Sequence, residues 1–203
     1  MSRIRFALPG LFAMLAACSH NPPPVPPPAA PQPKVVTLCS ADSPIAAADR
    51  NAVCDMRTAF GEGDLPDAWR NTGGPVARVL IMPAGQAALS IRVIGGAMTV
   101  RRLAQGKLDV DRTIALSDAE RATLRDVGAA AWGTLGPVAD APTFAPCKAP
   151  NYIAAETNLN SMVKFTVSHC VALKPLRALA DAYLNIASEK VPELKHGLEQ
   201  SLD

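Results

Sequence analysis

The sequence lacks a marked excess of charge of either sign. Its 203 residues include 20 Lys and Arg against 18 Asp and Glu, which gives a formal net charge of +2. Domains that bind duplex nucleic acid usually carry a clear basic excess. The composition therefore argues against nucleic acid as a partner, and the 49% hydrophobic content excludes a fully disordered chain.

Long apolar runs are also missing. A transmembrane helix needs ~20 consecutive apolar residues, and no stretch of the chain approaches that length. The sequence therefore predicts no helix that spans a bilayer.

Motifs that mark common enzymes are absent as well. There is no GxSxG, HExxH, GxxxxGK[ST] or strand-associated GxGxxG sequence. Scattered histidines and the lack of CxxC spacing argue against a metal site. The sequence thus predicts no cofactor, no metal and no catalytic residues. A hydrolase without a recognisable motif stays open, because the members of a catalytic dyad need not be sequence neighbours.

Two pairs of residues could take part in catalysis by their residue types, but a structural role is favoured for both. His169 precedes Cys170, but neighbouring strand residues point to opposite faces of a sheet and a disulfide-bonded cysteine is no nucleophile. Asp109 and Asp111 share a strand face if that segment is extended. We interpret them as the solvated edge of a sheet, where charge discourages aggregation.

The N-terminal residues 1–17 are predicted to be a secretory signal peptide. Arg3 and Arg5 precede an apolar run of about ten residues that ends in small residues. The ending Leu15-Ala16-Ala17-Cys18 resembles the lipobox of bacterial lipoproteins. This resemblance implies cleavage before Cys18, which then carries a diacylglyceryl thioether and an acylated amino group.

The resemblance also implies a location. Ser19 follows Cys18, in place of the Asp that retains many lipoproteins in the inner membrane, so we expect the periplasmic face of the outer membrane. A plain signal peptide is the alternative. Removal of Arg3 and Arg5 leaves 18 basic and 18 acidic residues.

Residues 18–34 are predicted to be the lipid anchor and a tether. Eight prolines lie among residues 22–33. In an extended polyproline conformation of ~3.1 Å per residue, residues 19–34 reach up to ~50 Å. A proline-rich ligand is the alternative interpretation, but a spacer is favoured beside a lipid anchor.

Residues 35–203 form the predicted periplasmic domain, with Cys39, Cys54, Cys147 and Cys170. An even number of cysteines in an exported chain indicates disulfide bonds, since the periplasm is oxidising. Three pairings are possible. A hairpin centred near position 158.5 would bring Cys147 and Cys170 together, which leaves Cys39 with Cys54.

The order of predicted elements favours an α+β domain, an antiparallel sheet with helices packed on one face and stapled by disulfides. A helix starts at Ser43-Pro44, and a second starts at a Ser117–Glu120 capping box and ends before Gly133. A third starts near Pro175, and a short terminal helix follows Pro192. The predicted strands are residues 77–82, 88–94, 97–103, a segment within 108–115, 152–156 and 162–168.

This order resembles that of small, uncharacterised bacterial envelope lipoproteins. The residues that carry the resemblance are 116–132, 151–167 and 175–184. It implies the fold outline and transfers no functional site.

One sheet face is predicted to be basic. Residues 70–112 hold seven Arg and Lys against two Asp. A turn at Gly95-Gly96 pairs positions that add to 191, which places Arg92 and Arg101 on the open face with Ser90 and Thr99. We predict a solvated polar face or, through Arg92 and Arg101, a surface that binds an acidic partner.

Together these features predict an outer-membrane-anchored periplasmic lipoprotein that is a non-catalytic interaction or accessory module. Its expected partners are the membrane, through the lipid on Cys18, and another envelope protein. An inhibitor or immunity protein against a cell-wall hydrolase is one alternative, and a small periplasmic hydrolase is the other.

Overall fold

The computed structural model of the chain describes residues 35–65, 76–136, 138–140, 151–159, 162–170 and 173–194. These residues all belong to one unit, Lys34–Asp203. The predicted signal peptide, Cys18, the tether, Cys147 and the predicted terminal helix lie outside the described residues.

The described residues form a seven-stranded sheet with the strand order β4-β3-β2-β1-β6-β7-β5. Neighbours among the first six strands of that order are antiparallel, and the short β5 at the edge is parallel to β7. The strands are β1 (Val76–Met82), β2 (Ala88–Ile94), β3 (Ala97–Ala104), β4 (Lys107–Ala115), β5 (Val138–Asp140), β6 (Tyr152–Leu159) and β7 (Met162–His169).

Three α-helices lie in the described part of the chain: α1 (Ala47–Ala59), α2 (Asp118–Leu135) and α3 (Lys174–Lys190). A 3-10 turn follows at Pro192–Leu194. None of the described helices is long and apolar enough to cross a membrane. Helices packed on an antiparallel sheet confirm the predicted α+β class.

The start of α2 is the predicted capping box. The Ser117 hydroxyl accepts a hydrogen bond from the backbone N–H of Glu120, whose carboxylate accepts one from the Ser117 N–H at 2.6 Å. The predicted end before Gly133 is wrong. The helix continues to Leu135 and stops at Gly136, whose φ of 74° favours glycine.

The helices divide between the two faces of the sheet. Helices α2 and α3 pack on one face, whose core also includes apolar residues of β1, β2 and β3. The prediction that the helices share one face holds for these two and is wrong for α1. The predicted apolar stripe of α3 is buried: Leu176, Leu179, Ala180, Tyr183 and Ala187. Helix α1 packs with Leu80, Phe165 and other residues of the opposite face, which we call the second face.

The register of the β2–β3 hairpin is the predicted one, with Ser90 opposite Arg101 and Arg92 opposite Thr99. The β6–β7 hairpin differs from its prediction. Tyr152 lies opposite His169, so the turn is centred two residues later than expected. Strand β6 continues through Asn158, whose side chain is buried, and this extension moves the turn.

The predicted Cys39–Cys54 disulfide bond is present and joins residues 15 apart. Closing a loop of that length stabilises a fold by about 3 kcal/mol. Cys170 is also disulfide-bonded, and Cys147, its predicted partner, lies outside the described residues. Because Cys54 belongs to α1, the first bond fixes the N-terminal segment of the domain to the helix on the second face.

Candidate functional site

Charged side chains meet beneath α1 on the second face. They come from α1, from the loop after it and from strands β1, β3, β4 and β6. We call this group the buried ion network, and its members are Arg57, Glu62, Asp64, Arg78, Arg101, Asp111 and Glu156.

Arg78, on β1, is the central member and is fully buried. Its Nη1 donates to Glu62 Oε2 at 2.9 Å and to the Gly63 carbonyl at 3.1 Å. Its Nη2 donates to Glu156 Oε2 at 3.1 Å. Burial alone would lower the pKa of Arg78, but the charges and hydrogen bonds of Glu156 and Glu62 outweigh it and raise that pKa above its usual value.

Arg57 connects α1 to the same carboxylate. Its Nη1 lies 3.4 Å from Glu156 Oε1 and 3.0 Å from Cys39 Sγ, and its Nη2 donates to Asp64. Glu156 therefore accepts from two buried arginines, one on the neighbouring strand and one on the covering helix. The N-terminal segment, α1 and the loop after it are all joined to the sheet through these contacts.

Arg101, predicted to lie on an open basic face, is instead held within the chain. Its Nε donates to Asp111 Oδ1 at 3.2 Å, and its Nη1 donates to the Phe60 carbonyl at 3.0 Å. Ser90, predicted beside it, is fully buried and donates to Glu62 Oε2 at 2.8 Å. The expectation of an open face is wrong at Ser90 and Arg101, because the end of α1 and the following loop cover them.

Arg92 differs from the other arginines of this face. It lies opposite Arg78 on β1 and opposite Thr99 on β3. Its side chain is only partly buried, and its Nε, like those of Arg57 and Arg78, is buried without a hydrogen-bond partner. No ion pair joins Arg92 to another described residue. Of the two predicted contact residues, Arg92 alone keeps its donors unused.

A second polar group links α1 to the end of β7. His169 Nδ1 lies 3.0 Å from Asp49 Oδ2, and the rings of His169 and Tyr152 are 5.9 Å apart. Burial and the charge of Asp49, together with a hydrogen bond to it, raise the pKa of Tyr152. A carboxylate only accepts hydrogen bonds, so in this contact His169 Nδ1–H donates to Asp49, which orients the imidazole ring.

Sequence reasoning compared His169 with Cys170 and missed Asp49. The two partners are 120 positions apart, and neither belongs to a motif. Only the packing of α1 against β7 brings them together. His20 and His196 lie outside the described residues.

Asp109 and Asp111 do not share a face as predicted. The pairing of β3 with β4 shifts between Arg102 and Leu103, which leaves Asp109 at a β-bulge. Such an extra residue breaks the alternation of a strand. Asp109 accepts from Arg102 Nη2 at 2.9 Å, a hydrogen bond that lowers the pKa of Asp109, whereas Asp111 pairs with Arg101.

Comparisons of the chain with protein-family models, curated proteins and solved structures find no match. In the part of the chain that the structure describes, no group of three or more His, Cys, Asp and Glu residues could hold a metal ion.

Replacement of Arg78 by alanine is expected to lower the free energy of unfolding by about 3–5 kcal/mol, because it leaves Glu62 and Glu156 buried without their main cation. Urea unfolding of the purified protein measures this change. The matched control is Arg125→Ala, which breaks an exposed pair with Asp126 and should cost no more than ~1 kcal/mol. Equal, small losses in the two variants would contradict a stabilising role of the network's charge balance.

Proposed function

We propose that this protein is a lipoprotein, anchored at the periplasmic face of the outer membrane through the lipid on Cys18. Its domain, residues 35–203, is a non-catalytic module that binds another envelope protein. The signal peptide, the lipobox and the proline-rich tether supply the anchor and the reach.

The Cys39–Cys54 disulfide bond is the observation that carries this proposal. Disulfides persist in the periplasm and outside cells, and they are rare in the cytosol. The bond therefore supports export, in agreement with the signal peptide. It also lies five residues beyond the predicted tether, where it fastens the start of the domain to α1.

Such an arrangement suits a domain that presents a fixed surface at a distance from the membrane. A force on the tether acts on a segment that is held by a covalent bond and by the buried ion network. A partner then binds to a sheet that is already ordered by folding. Little further conformational entropy is lost on binding, which lowers the free-energy cost of association.

Cross-linking in intact cells tests the proposal. The C-terminally tagged protein is cross-linked and captured, and mass spectrometry identifies what accompanies it. We expect one dominant envelope protein in stoichiometric yield. A captured cell-wall hydrolase would identify the module as an inhibitor or immunity protein, and recovery of the protein alone would contradict a binding function.

Cys18→Ser provides the control for the anchor. We expect this variant to lose incorporation of labelled palmitate and to leave the membrane fraction, while the wild type sediments with outer membranes. A Cys18→Ser protein that still sediments with membranes and carries palmitate would refute lipidation at Cys18.

The Asp49–His169 pair favours a second candidate, a small hydrolase. The side chains of His169 and Asp49 are 20% and 18% exposed, so the pair lies partly open to solvent. An imidazole oriented by a carboxylate can take a proton from water as the oxygen attacks a carbonyl, and then return it to the leaving group.

If the protein is a hydrolase, His169→Ala is expected to reduce turnover by about 100-fold or more, since general-base catalysis contributes that much. Ester, amide and glycan substrates supply the assay, and Asp49→Asn should also reduce turnover by releasing the ring. Arg125→Ala serves as the unaffected control. The hydrolase candidate fails if the wild type turns over none of these substrates, or if His169→Ala retains full activity.

A further inference from the structure

Arg92 differs from the other arginines of the second face because no carboxylate of the described residues pairs with it. Arg57, Arg78 and Arg101 each lie within ion-pair distance of at least one carboxylate. Arg92 has no such partner among the described residues. An arginine without a carboxylate partner, on a face where the other three arginines each have one, requires a physical explanation.

The position of Arg92 is unfavourable for the fold alone. It lies directly opposite Arg78 on the neighbouring strand, and like charges at directly opposed positions destabilise a sheet. Its Nε is buried without an acceptor, and an unsatisfied buried donor costs about 1–3 kcal/mol. Departures from good local design of this kind concentrate at functional positions.

The buried ion network, on the same face, carries a negative formal charge and does not use the donors of Arg92. The network contains four carboxylates and three arginines, an excess of one negative charge. The Nε–H of Arg92 is buried, so the donors left for an outside acceptor are those of its Nη groups, which have no partner among the described residues.

Beside Arg92, the hydroxyl groups of Thr99 and Thr113 provide further hydrogen-bonding groups toward the edge strand β4. Thr99 lies directly opposite Arg92 on β3 and opposite Thr113 on β4, and the two hydroxyl oxygens are 3.1 Å apart. Their mutual hydrogen bond uses one hydroxyl proton and leaves the other to donate. We call Arg92, Thr99 and Thr113 the donor strip. Thr113 is exposed and Thr99 is partly buried.

We infer that the donor strip is the contact surface of the proposed binding module, and that Arg92 receives an acidic side chain of the protein partner. This inference rests on the proposed binding function. A carboxylate takes two parallel N–H bonds from a guanidinium, an arrangement that ammonium groups cannot reproduce. The hydroxyl proton of the threonine pair supplies a further donor beside it.

Site-specific photo-cross-linking of the full-length, lipidated protein in intact cells tests this inference. A benzophenone amino acid replaces Thr113, and the tagged protein is captured after irradiation. We expect an adduct with one envelope protein. Arg92→Glu in the same chain should reduce the adduct yield about tenfold or more, as expected for the loss of a charge-assisted contact and its replacement by repulsion.

Several variants separate the contact from general effects on folding. Arg92→Gln removes the charge and the forked Nη donors but keeps a polar, uncharged side chain, and it should reduce the yield about fivefold even where Arg92→Glu is poorly folded. Arg125→Glu reverses an exposed charge on α2 and should leave the yield within about twofold. Replacing the contacting Asp or Glu of the captured partner by Arg should restore the adduct with Arg92→Glu.

The outcomes distinguish this inference from the function on which it rests. An undiminished adduct with Arg92→Glu and Arg92→Gln overturns the inference, and so does an adduct with lipid or glycan alone. Capture of a partner by general cross-linking, with none at Thr113, also overturns it and leaves the binding function standing. Absence of a protein partner in both experiments refutes the binding function itself.

Discussion

A buried guanidinium must be surrounded by carboxylates, and Arg78 obtains them from two different parts of the molecule. Glu156 comes from the adjacent strand β6, and Glu62 comes from the loop after α1. The charge of Arg78 can be buried only when that loop folds back over the sheet. Arg57 and the Cys39–Cys54 bond hold the same segment in place. The position of α1 on the second face depends on these contacts.

Covering the second face changes which residues are available for function. Arg101 uses its donors on Asp111 and the Phe60 carbonyl, whereas Arg92 lies where its guanidinium has no acceptor among the described residues. The proposed contact surface is therefore smaller than the open basic face that the sequence suggests. The same packing of α1 also brings Asp49 to His169.

Local signals allowed much of the fold to be predicted. The Gly95-Gly96 turn determines the β2–β3 register, and the Ser117–Glu120 capping box determines where α2 begins. The proline at the start of α3 and the spacing of its apolar residues are also local signals, and they predict the start and the buried side of that helix. In each case, residues close in sequence contain all the information, so a single sequence is sufficient.

Contacts between distant segments could not be predicted in this way. Arg78 and Glu156 meet because β1 pairs with β6, 78 positions away, and no local pattern specifies that pairing. An arginine that alternates with apolar residues along a strand is predicted to face solvent. The local sequence does not show that another segment covers it. The position of the β6–β7 turn was predicted wrongly for a related reason. Polar residues after Glu156 indicate the end of a strand, but β6 continues through Asn158, which is buried.

The most direct test of this account is hydrogen exchange of the intact protein, because the account requires residues 35–65 to be an integral part of the fold. The amides of α1 should open with the same free energy as those of β1, since the buried ion network joins the two elements. Opening of α1 at a free energy lower than that of β1 by more than about 2 kcal/mol would show that the segment detaches independently. That result would contradict the closed second face.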